Sequence, residues 1–234
     1  MFESGKFFTG ANYWASHAGT AMWSDWKPEV VRADLERLAG AGLTALRVFP
    51  LWPDFQPITQ LHGGGGNRVE MRIRERVLDG EGPGQAGIDP VMLERFAVLC
   101  DEAKRNDIGL IVGLVTGWMS GRLFMPSGLE GRNPITDALC IQWQVRFVRE
   151  FVRRFKDHPA VAAWDLGNEC NCMGRATREE AWAWTASISN AIRAEDRSRP
   201  VVSGMHSLPV NPAQPWSIRD QGELTDLLTT HPYP

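Results

Sequence analysis

A chain of 234 residues, 43% hydrophobic and 23% charged, is long enough for one large domain with a sizeable core and has the composition of an ordinary soluble globular protein. Its net charge of -3 argues against nucleic acid or an anionic membrane as the main partner, since both favour a basic face. No run reaches the roughly 20 apolar residues of a membrane span. The first six residues, Met1 to Lys6, hold no long apolar segment, so a cytoplasmic protein with reduced thiols is expected, and a secreted one only if a leader has been removed.

Short apolar runs alternate with longer amphipathic ones. Phe7 to Ala15 reads as a first strand. Lys27 to Ala41 reads as a helix, with Pro28 near its start and Gly42 after its end. Leu43 to Leu51 is a second strand. The following stretch from Asp54 to Gly87 is Gly-rich and charged and reads as a long surface loop, with a small hairpin over Arg68 to Leu78. Asp89 is placed to cap a helix that begins at Pro90 and runs to about Asn106. Leu110 to Val115 is a third strand, and Trp118 to Asn133 is a second long loop. Ile135 to Lys156 is a long helix with Val145, Val148, Val152 and Phe155 at helical spacing. Val161 to Leu166 is the fourth strand. Thr177 and Glu180 have the spacing of a capping box for a helix to Ala194. Val201 to Met205, a short helix from Ser217 to Thr225, and Leu227 to Thr230 complete the series, giving six strands.

Strand–helix alternation with Val-, Leu- and Ile-rich strands implies an α/β fold built on a parallel sheet. A doubly wound open sheet and a (β/α)8 barrel both satisfy the pattern. The barrel is preferred. Gly10 to Trp14 is not the Gly-x-Gly-x-x-Gly turn of a dinucleotide fold. Polar or aromatic residues also stand at or after nearly every strand: Asn12, Arg47, Trp118, Glu169, His206 and Tyr233. In a barrel all of these ends meet on one face. Six units against the eight of a closed barrel give an expected TIM barrel that is incomplete. Residues 1–234 would be the N-terminal portion of a single (β/α)8 catalytic domain.

Among these residues Glu169 stands out. It follows the apolar run Val161 to Trp164 and is preceded by Asn168. Burial disfavours the charged form of a carboxyl, so Glu169 is expected to be held up in pKa as a proton donor. The bland alternative is a structural ion pair at a strand end. Arg47, inside the apolar Ala45 to Val48, needs a carboxylate partner. Trp118 is either a platform for a flat ligand face or a residue packed under its loop. Cys100 and Cys140 read as buried thiols, and Cys170 and Cys172 lack the spacing of a structural zinc site. No His, Asp and Glu set has metal-ligand spacing, so no obligatory metal and no cofactor is expected.

Three segments, Ala45-Leu46-Arg47-Val48, Trp164-Asp165-Leu166-Gly167-Asn168-Glu169 and Thr230-His231-Pro232-Tyr233-Pro234, resemble the signatures of the second, fourth and sixth strands of clan A glycoside hydrolases. The match is nearest to glycoside hydrolase family 5, which contains cellulases, β-mannanases and β-mannosidases. The resemblance implies a retaining β-glycoside hydrolase with Glu169 as general acid/base. Asn168 would bind a sugar hydroxyl, Arg47 would orient the nucleophilic carboxylate, and Tyr233 would hydrogen-bond that carboxylate. His231 would line the sugar site. His206 and Trp118 join these residues as candidate carbohydrate contacts. The family nucleophile is a Glu on strand seven, which by the resemblance falls after residue 234. Among substrates β-mannan is slightly favoured over β-glucan. Two other readings follow from the same residues: a carbohydrate-binding barrel without catalysis, or an inactive fragment. A barrel lyase or aldolase would need a Schiff-base Lys or a metal cluster at a strand end, and the sequence shows neither.

Overall fold

The computed structural model describes residues 7–78 and 80–232, without the side chains at positions 68 and 69. In chain order the elements are β1 Gly10–Tyr13, α1 Pro28–Gly40, β2 Ala45–Val48, α2 Trp52–Phe55, β3 Ile58–His62, β4 Arg68–Ile73, β5 Arg76–Val77, α3 Gly82–Gln85 and α4 Pro90–Arg105. These are followed by β6 Gly109–Val115, β7 Trp118–Met119, β8 Arg122–Leu123, α5 Ala138–Phe155, β9 Val161–Gly167, α6 Arg178–Glu195, β10 Val201–Val202 and α7 Ile218–Leu224.

Five strands form one parallel sheet in the order β1-β2-β6-β9-β10. Each neighbour is the next main strand along the chain, as in successive units of a (β/α)8 barrel. The central strands are nearly continuous apolar runs because helices cover the sheet. Leu110, Val112, Leu114, Ala163, Trp164 and Leu166 are buried. Beneath them Phe55, Phe96, Phe151 and Phe155 meet edge-on or tilted, with centroids 4.8–6.3 Å apart, the geometry aromatic quadrupoles prefer. Among the described residues no helix is long and apolar enough to cross a membrane.

The helix ends follow the capping residues closely. Asp89 accepts from the Val91 amide at the start of α4. Thr177 and Glu180 form a reciprocal capping box on α6. The helix expected from Ile135 begins instead at Ala138, because Asp137 accepts from the Leu139 and Cys140 amides and so sets the N-terminus there.

Two expectations need correction. The sixth strand does not form: Leu227 makes a single parallel bridge to Val202. The reason is side-chain competition for the backbone. The Thr229 amide donates to Ser203 Oγ at 3.0 Å, and the Met205 amide donates to Thr229 Oγ1 at 3.1 Å. Hydroxyls thus take the places of ladder partners, and β10 is itself cut to two residues. The segment from Asp54 to Gly87 is also more ordered than a surface loop. The hairpin expected over Arg68 to Leu78 is present as β4 and β5, and the rest of the segment adds α2, α3 and β3, which pairs with β4 to make an antiparallel sheet β3-β4-β5. Buried Ile58 and Ile73 pair across β3 and β4, and Gln60 donates to the Gly128 carbonyl, so this small sheet is pinned to the loop after β8.

Candidate active site

Glu169 closes β9 at the rim of the sheet. Its backbone lies in the left-handed region, at φ 48° and ψ 48°, a conformation that costs a residue with a side chain about 1–3 kcal/mol. It is held there by contacts on both sides. The Cys172 amide donates to the Glu169 carbonyl at 2.7 Å, and the Cys170 amide donates to the Gly204 carbonyl at 3.1 Å. The side chain is buried, and its Oε1 meets two imidazoles. His231 Nδ1 lies at 2.9 Å and His206 Nδ1 at 3.2 Å.

The expectation of a carboxyl held up in pKa is overturned by this pairing. Burial does push Glu169 upward. Hydrogen bonds from His231 and His206, with their attraction for the negative form, outweigh it, and the group lies below the usual glutamate value. The sequence showed the desolvation of a strand end but not that two distant histidines would converge on the same oxygen.

Beneath this pair Arg47 organises the strand ends. Its Nε donates to Asp165 Oδ2 at 2.6 Å, its Nη2 to the Gly167 carbonyl at 2.8 Å and its Nη1 to Asn168 Oδ1 at 2.9 Å. The carboxylate that this partly buried cation holds is therefore Asp165, which is itself fully buried. Since Asn168 Oδ1 accepts from Arg47, its Nδ2 faces the other way and donates to the Trp118 carbonyl at 2.9 Å.

Arg47 also fixes a tautomer. Its Nη1 lies 3.4 Å from His231 Nε2. A guanidinium can only donate, so Nε2 must accept, and the ring proton sits on Nδ1, pointing at Glu169. This bears on metal binding. Donor atoms of Glu169, His206 and His231 lie within 4.8 Å of one another, close enough for a His2Glu metal set. A metal on His231 Nδ1 would have to displace that proton and leave Nε2 protonated against Arg47. The donor set fits a hydrogen-bonded carboxylate better than a metal.

Glu169 opens on a cleft of about 530 Å³ lined by Asn12, Trp14, Trp118 to Gly121, Asn168, Cys172 and His206. Trp118 packs against the core and also lines this cleft. His231 sits behind the carboxyl. Tyr233 lies outside the described residues. Sequence reasoning missed Trp14, whose ring stacks on Phe49 with centroids 5.4 Å apart, while Arg47 lies over the same Phe49 ring. The available signal was an aromatic residue directly after Asn12 and Tyr13 at the end of β1. Cys172 was also unforeseen as a cleft residue; burial and the nearby Glu169 charge push its thiol up, so it stays protonated.

Residues 116–210 match the family model for the TIM barrel domain of glycosyl hydrolases family 2. The chain is 24% identical over 205 residues to mannan endo-1,4-beta-mannosidase F of Aspergillus clavatus, covering 85% of this chain and 43% of that protein. It is 28% identical over 202 residues to mannan endo-1,4-beta-mannosidase A of Podospora anserina, covering 85% of this chain and 51% of that protein. Among solved structures, exo-beta-1,4-mannosidase Op5Man5 from Opitutaceae bacterium strain TAV5 superposes with a TM-score of 0.73 at 26% identity, over 97% of this chain and 38% of that one. The fold is that of a glycoside hydrolase barrel. A GH5_18 protein from Streptomyces cattleya, solved in complex with GlcNAc, gives a TM-score of 0.70 at 26% identity, over 88% of this chain and 47% of that one. The chain spans about half the length of the curated relatives it matches.

Proposed function

We propose that this chain carries the acid/base half of a retaining β-glycoside hydrolase acting on β-mannosidic linkages. The observation that carries the reading is Glu169: a buried carboxyl at the rim end of β9, beside Asn168, opening on a cleft walled by Trp14 and Trp118. Mannan-acting relatives and neighbours support a mannosyl substrate over a glucosyl one.

In this mechanism protonated Glu169 gives its proton to the leaving glycosidic oxygen while a second carboxylate attacks the anomeric carbon. Water, deprotonated by the now ionised Glu169, then releases the sugar with its configuration retained. The attacking group must stand about 5–5.5 Å from Glu169. Asp165 is unsuited to it, being fully buried and held by Arg47. The proposal assigns the attack to a Glu supplied from outside the described residues. For the first step Glu169 needs a proton, so the negative charge of that neighbour must outweigh the two imidazole donors. Asn168, its amide oriented by Arg47 and the Trp118 carbonyl, would present its edge to a sugar hydroxyl.

The test is Glu169→Gln in the natural polypeptide, assayed on β-1,4-manno-oligosaccharides and on cello-oligosaccharides. Loss of a general acid should lower turnover of the natural linkage by about 10²- to 10⁴-fold. Azide should restore turnover of aryl mannosides with good leaving groups. Undiminished hydrolysis by the variant would remove Glu169 from the mechanism, and faster wild-type turnover of the cello-oligosaccharides would overturn the substrate assignment.

A further inference from the structure

We propose that His206 is a positioning residue for Glu169: with His231 it holds Oε1 as a hydrogen-bond acceptor and so sets the orientation and the proton affinity of the carboxyl. The inference rests on the acid/base reading above and adds to it a residue that the strand-end signatures of the sequence do not include.

Three strand-end segments meet at His206. Its backbone amide donates to Asn171 Oδ1 at 2.9 Å, which ties it to the turn that follows Glu169. Its carbonyl accepts from the His231 amide at 2.8 Å, which ties it to the segment beyond Leu227. Its ring stands perpendicular to that of His231, with centroids 6.3 Å apart. Both rings present Nδ1 to Oε1. An ionised carboxylate only accepts, so His206 Nδ1 must carry a hydrogen, as His231 Nδ1 does. With Oε1 occupied by two donors, adding a proton there would set it against them.

The charged and titratable groups around Glu169 come from several elements. His206 follows β10, and His231 lies beyond the Leu227 bridge. Cys172 is on the turn after Glu169 itself. Arg47 on β2 reaches the carboxyl through His231, and Asp165 on β9 neutralises Arg47. Of the two imidazoles His206 is the more open, with its side chain 36% exposed against 18% for His231. It can therefore be truncated without opening a core cavity.

The experiment compares pH profiles of kcat/KM for the natural polypeptide and its His206→Ala and His206→Asn variants on a β-1,4-mannoside. Removing one donor should raise the alkaline limb, which reports loss of the Glu169 proton, by about 0.5–1 pH unit. Asn places an amide N–H near the position of Nδ1 and should bring the limb back toward wild type. A purely structural role would lower kcat in both variants with the limb unmoved, and that result would overturn the inference. So would a limb that moves equally in Ala and Asn. If the wild type hydrolyses no glycoside, the acid/base reading has failed. In that case carbon-detected NMR titration of the Glu169 carboxyl still decides the hydrogen-bond role: a rise in His206→Ala supports it and no change refutes it.

Discussion

Arg47 and Asp165, 118 residues apart in sequence, share a 2.6 Å hydrogen bond beneath the strand ends, and neither side chain is appreciably exposed. This pair holds the floor of the cleft, because the same guanidinium grips Asn168 and the Gly167 carbonyl. Arg47→Met removes these three bonds and the contact to His231, and strands a buried carboxylate. Breaking one side of such a pair costs about 3–5 kcal/mol. The double variant Arg47→Met with Asp165→Asn should recover part of that loss, since no uncompensated charge remains. Urea unfolding of the four proteins of the cycle gives the coupling; a double variant no more stable than Arg47→Met would show that the charge pair is not the source of the cost.

Asp54 behaves in the opposite sense to a paired carboxylate. Burial lifts its pKa from 3.8 to about 6, and the charges of Arg74 and Arg95 offset burial only in part. A raised folded-state pKa means that the folded state holds the proton more tightly than the unfolded state. The favourable contribution is complete below about pH 4 and is lost as pH rises through about 6. At pH 7 the ionised group therefore weakens the fold. Asp54→Asn should raise stability at pH 7 by about 1–3 kcal/mol, and the gain should vanish near pH 4. Thermal melts at the two pH values check this; an equal gain at both would mean that ionisation is not involved.

Asp196 supplies the conventional case. Burial alone would push it up. Ser198, through its hydroxyl and its amide, the Trp164 indole at 2.8 Å and Arg199 bring it instead to about 2. Its contribution is present above about pH 4 and is lost as pH falls toward 2. Asp196→Ala should cost about 2 kcal/mol at neutral pH and less at pH 2–3. The indole it leaves without an acceptor lies within β9, so near-ultraviolet circular dichroism should report the change at Trp164.

The strand and helix sequence was legible because it depends on local pattern. Apolar runs located β2, β6 and β9, and Asp89, Thr177 and Glu180 marked helix starts that the structure keeps to the residue. Leu227 to Thr230 misled because its alternation was that of a strand, while the hydroxyls of Ser203 and Thr229, 26 residues apart, took over the backbone groups. In the small sheet over Ile58 to Val77 the β4–β5 hairpin lies within the expected Arg68 to Leu78, whereas β3 was hidden for a similar reason: its support is the Gly128 carbonyl, 68 residues from Gln60. At the site, strand-end residues could be identified one by one. Their mutual geometry could not, and it is the geometry that reverses the expected pKa direction of Glu169. Two imidazoles from separate segments on one oxygen is a tertiary fact with no local trace.

Gly204 links that geometry to the backbone. It adopts φ +64°, and a Cβ there would collide with the Gly167 carbonyl and with Asp165 Oδ1, both already bound within the Arg47 network. Its own carbonyl accepts the Cys170 amide, one residue past Glu169. Gly204→Ala therefore adds crowding to backbone strain. Gly42, after α1, separates the two effects, because it has φ +86° and open space where a Cβ would go. Gly42→Ala should cost about 1–2 kcal/mol, the strain alone. Gly204→Ala should cost more than about 3 kcal/mol and should also displace the Glu169 turn, seen as altered His206 and His231 ring resonances by NMR. Equal destabilisation by the two substitutions, with those resonances unchanged, would mean that Gly204 serves only its own backbone angle and has no part in holding the carboxyl.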